Sequence, residues 1–168
     1  MVREIKGNLL TCGADIICQQ VNCQGVMGAG LARQIAPYLS ARQMDAYKEQ
    51  CNIYNSRDLL GRVIYFQTSI GIIANCLAQD HYGRSGLYTD YYALRKCLED
   101  VYHFAWSSKQ EDWYQYGIDH DITVGIPKYI GCGLAGGDWN IVDEIIHDIF
   151  DHPIHDDVPC MLVEYKKG

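Results

Sequence analysis

Residues 14–36 read ADIICQQVNCQGVMGAGLARQIA, and they contain the clearest structural pattern of the sequence. An apolar run at residues 14–21 leads into an asparagine, a loop with three glycines, and then a sequence that favours a helix. Glycines at such a place let backbone N–H groups approach a ligand closely, and the start of a helix favours negative charge. The order of strand, glycine loop and helix therefore predicts an α/β unit whose loop holds an anion.

The composition indicates a single compact domain over residues 1–168. The net charge is −7, from 21 acidic and 14 basic residues. Nucleic-acid-binding proteins usually carry a basic patch, so we expect no broad nucleic-acid binding. No apolar run is long enough to span a membrane, and the first ten residues lack the apolar core of a secretory signal. We therefore expect a cytoplasmic protein without membrane contact.

The eight cysteines raise the alternatives of disulfides and zinc. No pair has the CxxC spacing, and neither the cysteines nor the histidines are spaced as zinc ligands usually are. Several of the cysteines lie within apolar runs that resemble buried strands. We interpret them as reduced and mostly buried thiols, and we predict no metal site and no cofactor.

The remaining pattern alternates strands with helices. Apolar runs predict strands at residues 2–6, 14–21, 61–69, 71–79, 122–127 and 159–165. Helices are predicted at residues 31–36, 40–51, 91–106 and 140–150, with Ser40 and either Thr89 or Asp90 as caps. This alternation predicts a three-layer α/β fold, in which helices cover both faces of a mixed, mostly parallel sheet.

A second glycine loop repeats the first arrangement. The apolar run ITVGIP leads into KYIGCGLAGGDW, at residues 128–139, and then into a predicted helix. In open α/β sheets ligands bind beyond the carboxyl ends of the strands, where both loops would lie. One such loop alone can be a tight turn, but two glycine segments without a basic residue, at residues 22–30 and 131–137, fit a diphosphate held by backbone amides. The first loop lacks the GxGxxG fingerprint of dinucleotide-binding folds, and no GxxxxGK[ST] sequence occurs.

Three segments, GNLL, VNCQGVMGAGLARQIA and IPKYIGCGLAGGDW, together resemble the macrodomain family, whose members bind ADP-ribose. The resemblance extends over nearly the whole chain. It is closest to the branch that contains ADP-ribose 1″-phosphate phosphatases and terminal ADP-ribose protein glycohydrolases. It implies the macrodomain fold, and a ligand that is ADP-ribose or its 1″-phosphate.

The resemblance also implies which residues contact the ligand. Asn8 and Leu9 are expected near adenine, although family members have a charged aspartate where this chain has Asn8. Asn22 matches a polar residue that reaches the distal ribose, and its alternative role is that of a strand-terminal cap. The two loops over the distal ribose and the diphosphate correspond to Gly28, Ala29, Gly30 and Leu31, and to Ile130, Gly131, Cys132, Gly133, Leu134, Ala135, Gly136 and Gly137. Cys132 occupies a packing position in the family, and we do not expect it to be a nucleophile.

The glycohydrolase mechanism does not transfer to this chain. Those enzymes use a lysine at the end of the strand before the long helix, which corresponds here to Ala78 or Gln79. They also use an aspartate directly after GCGL, where this chain has Ala135. The remaining candidates for acid–base chemistry are Asp80, His81 and Asp138, with Arg84 as a clamp for a terminal phosphate and Tyr82 as a stacking residue. Each has a structural alternative, and for Asp138 it is a helix N-cap.

These observations lead to one expected function and three alternatives. We expect a protein that binds ADP-ribose and hydrolyses ADP-ribose 1″-phosphate to ADP-ribose and phosphate. The first alternative is a non-catalytic module that binds free or protein-linked ADP-ribose, which the missing lysine and aspartate favour. The second is a hydrolase that removes ADP-ribose from modified macromolecules without a lysine. A Rossmann-like oxidoreductase is the most distant alternative.

Overall fold

The computed structural model of the protein describes residues 1–110, 120–152 and 158–166. Six strands form one sheet: β1 (Val2–Gly7), β2 (Ile16–Asn22), β3 (Val63–Thr68), β4 (Gly71–Gln79), β5 (Val124–Pro127) and β6 (Cys160–Tyr165). Their order across the sheet is β1-β6-β5-β2-β4-β3. All neighbours pair in parallel except β3, which pairs antiparallel with β4 at one edge. The carboxyl ends of β1, β6, β5, β2 and β4 therefore lie along the same edge of the sheet.

Within the described residues, five α-helices connect the strands: α1 (Gly30–Ile35), α2 (Ala41–Ile53), α3 (Ser56–Leu59), α4 (Tyr91–Gln110) and α5 (Trp139–Phe150). Helices α4 and α5 pack on one face of the sheet, around Ile16, Cys18 and Ala74. Helices α1 and α2 cover the other face through Ile35 and Tyr47, both fully buried. Because both faces are covered, the central strands β2 and β4 are buried along almost their whole length. The predicted three-layer α/β fold is confirmed.

The helix caps are those that the residue types favour. Ser40 accepts a hydrogen bond from the Gln43 backbone N–H, and the Gln43 side chain accepts one from the Ser40 N–H, which completes a capping box at α2. Of the two residues proposed to cap α4, Asp90 accepts a hydrogen bond from Ala93 N, at 2.9 Å. Thr89 instead turns toward the second glycine loop.

The structure differs from the predicted elements in four places. The sequence pattern missed α3 and two short 3₁₀ helices, Leu9–Thr11 and Ala36–Tyr38, because a single turn shows no periodicity. Helix α4 continues to Gln110, four residues beyond its predicted end at residue 106. Residues 111–119 lie outside the described residues.

The eight cysteines are free thiols, and five of them are buried: Cys18, Cys23, Cys76, Cys97 and Cys160. Within the described ranges, no helix combines the length and the apolar character needed to cross a bilayer.

Candidate ligand-binding cleft

A cleft of about 640 Å³ lies at the carboxyl ends of β2, β4 and β5. The first glycine loop (residues 22–30) and the second glycine loop (residues 131–137) border it from two sides. Ten of the residues predicted to contact the ligand line this cleft: Asn22, Gly28, Ala29, Gly30, Leu31, Ile130, Gly131, Gly133, Leu134 and Ala135. The fold therefore brings together two segments that are about a hundred residues apart in the chain.

Asn22 organises the first glycine loop. Its side-chain oxygen accepts hydrogen bonds from the backbone N–H groups of Gln24 (3.0 Å) and Val26 (3.3 Å). Its amide nitrogen donates to the Val26 carbonyl (2.8 Å), and the Tyr47 hydroxyl donates to the Asn22 carbonyl (2.6 Å). Burial raises the pKa of Tyr47, so this phenol remains a hydrogen-bond donor. Asn22 lines the cleft and also makes the strand-terminal contacts of a cap, and its contact with the distal ribose stays a prediction.

The same loop leaves backbone donors available at the start of α1. The residue before the helix, Ala29, has no side chain that could cap it. Within the described residues, the N–H groups of Gly30, Leu31 and Ala32 have no hydrogen-bond acceptor, and all three residues line the cleft. Free N–H groups at such a place favour an anionic ligand.

The second glycine loop supplies a matching set of donors. Its fold is closed by hydrogen bonds from Gly136 N to the Gly133 carbonyl (3.0 Å) and from Gly137 N to the Gly131 carbonyl (2.9 Å). The N–H groups of Gly133, Leu134 and Ala135 have no acceptor in the part of the chain that the structure describes. Successive unpaired N–H groups form an anion-binding nest, so both loops offer the same chemistry to one ligand.

Side chains that the sequence analysis did not single out form a hydrogen-bonded relay at the cleft. The Gln79 amide nitrogen donates to the His81 carbonyl (2.9 Å), which turns the Gln79 oxygen toward Gln20. The Gln20 amide nitrogen donates to that oxygen (3.0 Å) and to Thr89 Oγ1 (2.9 Å). The Thr89 hydroxyl donates to the Gly131 carbonyl (2.6 Å). The relay thereby connects β2, β4 and the second glycine loop.

One signal in the sequence could have indicated this relay. Gln19 and Gln20 are consecutive amides in an otherwise apolar central strand, and Gln79 ends the neighbouring strand. Buried polar side chains need partners, so amides at these places predict a network between strand ends. Gln79 is one of the two residues that correspond to the glycohydrolase lysine, and both the oxygen and the nitrogen of its amide are already hydrogen-bonded.

The three predicted catalytic side chains do not line the cleft. Asp80 accepts hydrogen bonds from Gln24 Nε2 (2.9 Å) and from the Ser56 hydroxyl, which ties the first glycine loop to α3. The Nε2 atom of His81 lies 3.9 Å from Oδ2 of Asp80, and the His81 side chain is 69% exposed. Asp138 caps α5 by accepting a hydrogen bond from Asn140 N, at 2.9 Å. Their catalytic role stays a prediction, and for Asp138 the structure contains the cap that was its alternative.

Five of the predicted ligand residues also lie outside the cleft lining: Asn8, Leu9, Cys132, Gly136 and Gly137. Asn8 caps the first 3₁₀ helix by accepting a hydrogen bond from Leu10 N (2.9 Å), and Leu9 is buried. Gly136 and Gly137 close the second glycine loop through their hydrogen bonds to the Gly133 and Gly131 carbonyls. Burial and the nearby Asp138 raise the pKa of Cys132 to about 11, so this thiol is protonated and unreactive at neutral pH.

Two basic side chains line the cleft, and they differ in their surroundings. The Lys128 amine lies 3.1 Å from Glu4 and 3.7 Å from Glu164, so its charge is balanced by two carboxylates. Arg84 is exposed and makes no ion pair or hydrogen bond with any described residue. No carboxylate, histidine or cysteine lines the cleft within the described ranges. The cleft therefore offers backbone amides, neutral side chains and one available cation.

Comparison with known proteins identifies the fold. No protein-family model matches the chain, and no curated protein matches it. A protein of unknown function from Bacteroides thetaiotaomicron has a similar structure, with 22% identity, coverage of 98% of each chain and a TM-score of 0.74. The macrodomain of Thermus aquaticus DarG matches with 20% identity, coverage of 99% of each chain and a TM-score of 0.68.

A third similar structure carries a ligand. It is Thermosipho africanus DarTG in complex with ADP-ribose, with 16% identity, coverage of 98% of this chain and 41% of that chain, and a TM-score of 0.68. The structural neighbours of this protein thus include macrodomains, and its six-stranded mixed sheet with surrounding helices is the macrodomain fold.

Proposed function

We propose that this protein binds ADP-ribose in the cleft between the two glycine loops. One observation carries the proposal: residues from both loops that line the same cleft have backbone N–H groups without an acceptor among the described residues, namely Gly30, Leu31 and Ala32 in the first loop and residues 133–135 in the second. A diphosphate has oxygens on both sides that these donors can bind. The ADP-ribose complex of a structure with the same fold supports this ligand.

Calorimetric titration of the purified protein with ADP-ribose tests the proposal. We expect saturable binding of one ADP-ribose per chain, and much weaker binding of AMP, which lacks the diphosphate. Equal affinity for AMP and ADP-ribose, or no binding of either, would contradict a cleft built around a diphosphate. Phosphorus NMR on the same samples reports directly on the diphosphate, whose signals should shift or broaden on binding.

The affinity for ADP-ribose is expected to be almost independent of pH. No carboxylate, imidazole or thiol lines the cleft in the described residues, and backbone amides do not titrate. The calorimetric affinity should therefore change by less than about threefold between about pH 6 and pH 9, because Lys, Arg and Tyr side chains ordinarily keep their charge state there. A loss of affinity as the pH rises through the range where imidazole releases its proton would instead show that a histidine binds the diphosphate.

A second candidate function is recognition and hydrolysis of ADP-ribose 1″-phosphate. The observation that favours it is Arg84, a cleft-lining cation on the loop that follows β4, which has no partner among the described residues. A guanidinium at that place suits a terminal phosphate. The hydrolytic step needs an acid or a base, and Asp80 and His81 precede Arg84 on the same loop. We propose hydrolysis only in addition to binding, because backbone amides can bind a diphosphate without Asp80 or His81.

Arg84→Gln is expected to separate the two ligands. It should weaken binding of ADP-ribose 1″-phosphate by about 5- to 10-fold, since an exposed charge-assisted contact contributes about 1 kcal/mol, and it should leave ADP-ribose binding unchanged. Arg84→Lys is the matched control, because it keeps the charge and loses the planar fork. Equal losses for both ligands would show that Arg84 contacts the shared diphosphate and not a terminal phosphate.

Phosphorus NMR of ADP-ribose 1″-phosphate mixed with the protein tests hydrolysis. Loss of the monoester signal with growth of free phosphate would establish a phosphatase, and Asp80→Asn and His81→Ala should then lower the rate. Full turnover in both variants would contradict their assignment. Shifted diphosphate signals without turnover would establish a binding module, for which ADP-ribosylated proteins are the proposed partners. Release of ADP-ribose from a modified substrate would favour the hydrolase alternative.

A further inference from the structure

Outside the cleft, two exposed tyrosine rings each lie beneath a cation. The Arg62 guanidinium lies over the Tyr54 ring, 5.0 Å from its centroid, and the Lys96 ammonium lies over the Tyr92 ring, 5.9 Å from its centroid. Tyr92 is 74% exposed and Tyr54 is 40% exposed, and both cations are exposed as well. We call these four residues the cation–tyrosine surface.

The two pairs are adjacent because the segment before β3 packs against helix α4. The Lys96 stem packs on Gly61, where a Cβ atom would lie 3.2 Å from Lys96 Cδ. Directly after Gly61, the Arg62 carbonyl accepts hydrogen bonds from the Cys97 thiol (3.3 Å) and from Leu77 N (3.0 Å). Helix α4 and the central strand β4 therefore hold the backbones of the two cations next to each other, as a preorganised binding surface requires.

Neither cation of this surface has an acceptor among the described residues, because the guanidinium and the ammonium donate no hydrogen bond and form no ion pair there. Carboxylates are near in sequence: Asp58 lies four positions before Arg62, and Glu99 lies three positions after Lys96. The next one, Asp100, already accepts a hydrogen bond from a tyrosine hydroxyl of β3. Since the two cations lie on rings and not on these carboxylates, their N–H donors are free for an anion from outside the chain.

The cation–π pair beside the cleft differs in this respect. The Lys128 amine lies over the Tyr129 ring, 5.7 Å from its centroid, but it also lies 3.1 Å from Glu4 and 3.7 Å from Glu164. Two carboxylates of the protein therefore balance that charge. The cation–tyrosine surface has no such balance within the described part of the chain, so its two charges remain to be matched by a partner.

The charge of the whole protein favours an acidic peptide over a nucleic acid as this partner. Nucleic acids bind through many phosphate contacts, whereas this surface offers two free cations on a protein of net charge −7. Asp58 and Glu99 beside it would repel a continuous polyanion. In a peptide, single carboxylates alternate with uncharged residues, for which the two rings and the exposed Ile53 provide apolar contact.

We propose that the cation–tyrosine surface binds an acidic peptide segment of a protein partner. Two carboxylates of the segment bind Arg62 and Lys96, and an apolar residue between them packs on the exposed rings of Tyr54 and Tyr92. None of these four residues lines the cleft, so the interaction is independent of ADP-ribose binding.

NMR titration of the ¹⁵N-labelled protein with a short capped peptide of repeated Gly-Glu-Leu-Glu tests this proposal. We expect saturable shifts of the backbone amide signals of Gly61, Arg62 and Lys96, and weaker binding as salt is added, because these charges are exposed to solvent. The same peptide with glutamine in place of every glutamate should bind at least about 10-fold more weakly, because it keeps the apolar residues and loses both ion pairs.

A double variant and its matched control locate the interaction. Arg62→Gln/Lys96→Met should weaken binding of the glutamate peptide by about 5- to 20-fold, since each exposed ion pair changes an equilibrium by up to about fivefold. Methionine keeps an unbranched stem on Gly61. The control, Arg3→Gln/Lys6→Met, makes the same change in net charge at exposed positions of β1, at the opposite edge of the sheet from β3, and should bind the peptide as the wild type does.

Equal weakening in the two double variants would show that only the net charge matters, and would overturn the proposal, as would the absence of saturable shifts in the wild type. Tighter binding of single-stranded oligothymidine at the same residues would assign the surface to nucleic acid instead. If the Arg62 variant does not fold, a peptide with lysine in place of glutamate replaces it, and shifts of the Arg62 and Lys96 signals by that peptide would contradict the proposal. Calorimetry with ADP-ribose should give the same affinity for both double variants as for the wild type, so failure of either proposal leaves the other intact.

Discussion

Gly133→Phe is expected to abolish ADP-ribose binding while the protein keeps its fold and its melting temperature. A Cβ atom at Gly133 would have no atom within 4 Å, and the residue has no positive φ, so a side chain at this position starts in open space without backbone strain. Because Gly133 lines the cleft, we expect the phenyl ring to occupy space that the ligand needs. Loss of two charge-assisted hydrogen bonds at about 1.5–3 kcal/mol each corresponds to at least about a 100-fold loss of affinity.

The matched control is Gly133→Ala, at the same backbone position. Its single methyl group should reduce affinity by less than about 10-fold, because displacing a diphosphate by a few tenths of an ångström weakens its hydrogen bonds without breaking them. Calorimetry gives the affinities, and thermal unfolding followed by circular dichroism shows whether both variants are folded. If Gly133→Phe binds ADP-ribose as the wild type does, the ligand does not lie against the second glycine loop.

The strand–loop–helix units were predictable because their signals are local. The apolar run at residues 14–21 and the glycines that follow it specify a buried strand and a loop without any knowledge of the rest of the chain. The same reasoning located the second glycine loop. That the two loops lie at one cleft followed from a general property of parallel sheets, whose strands end at a common edge.

Side-chain direction was not predictable in the same way. Asp80 follows a strand end that borders the cleft, yet its carboxylate is held by Gln24 and Ser56. Ser56 belongs to α3, a single turn of helix without a detectable sequence pattern. The relay through Gln20 and Thr89 also depends on a pairing between residues 69 positions apart. Such contacts are set by tertiary structure. The periodicities of 2.0 and 3.6 residues identify strands and helices and give no information about these contacts.

The chemistry of the cleft favours binding over turnover. The described lining contains amides, hydroxyls, two basic side chains and apolar groups, and it contains no carboxylate or imidazole. Binding a diphosphate needs only the amides, whereas hydrolysis of a phosphate ester needs a group that moves a proton. The amide of Gln79 cannot attack a ribose carbon, because it is not a nucleophile under these conditions and both of its ends are hydrogen-bonded. An active enzyme would therefore have to recruit Asp80 or His81 from outside the lining.

The contact between the second glycine loop and residues 80–89 leads to the largest expected change in stability. The Ala135 carbonyl accepts hydrogen bonds from Tyr88 N (2.8 Å) and Thr89 N (3.2 Å). Beside it, a Cβ atom at Gly136 would lie 2.2 Å from the Gly86 carbonyl oxygen, and the φ of Gly136 is +71°. The two backbones approach so closely that only glycine fits.

Gly136→Ala is therefore expected to lower the free energy of unfolding by about 3 kcal/mol or more, from about 1–2 kcal/mol for the left-handed conformation and the remainder for the clash with backbone. For a chain of this size that corresponds to a fall of about 6–12 °C in melting temperature. Gly13→Ala isolates the first contribution, because Gly13 has a φ of +82° and a Cβ there would meet nothing within 4 Å. Thermal and urea unfolding of both variants give the difference in the free energy of unfolding.

Because the displaced loop carries the free N–H groups of residues 133–135, Gly136→Ala should also weaken ADP-ribose binding, whereas Gly13→Ala should not. Equal destabilisation by the two substitutions would show that the loop at residues 80–89 moves away at no cost, and that its contact with the second glycine loop does not hold the cleft together.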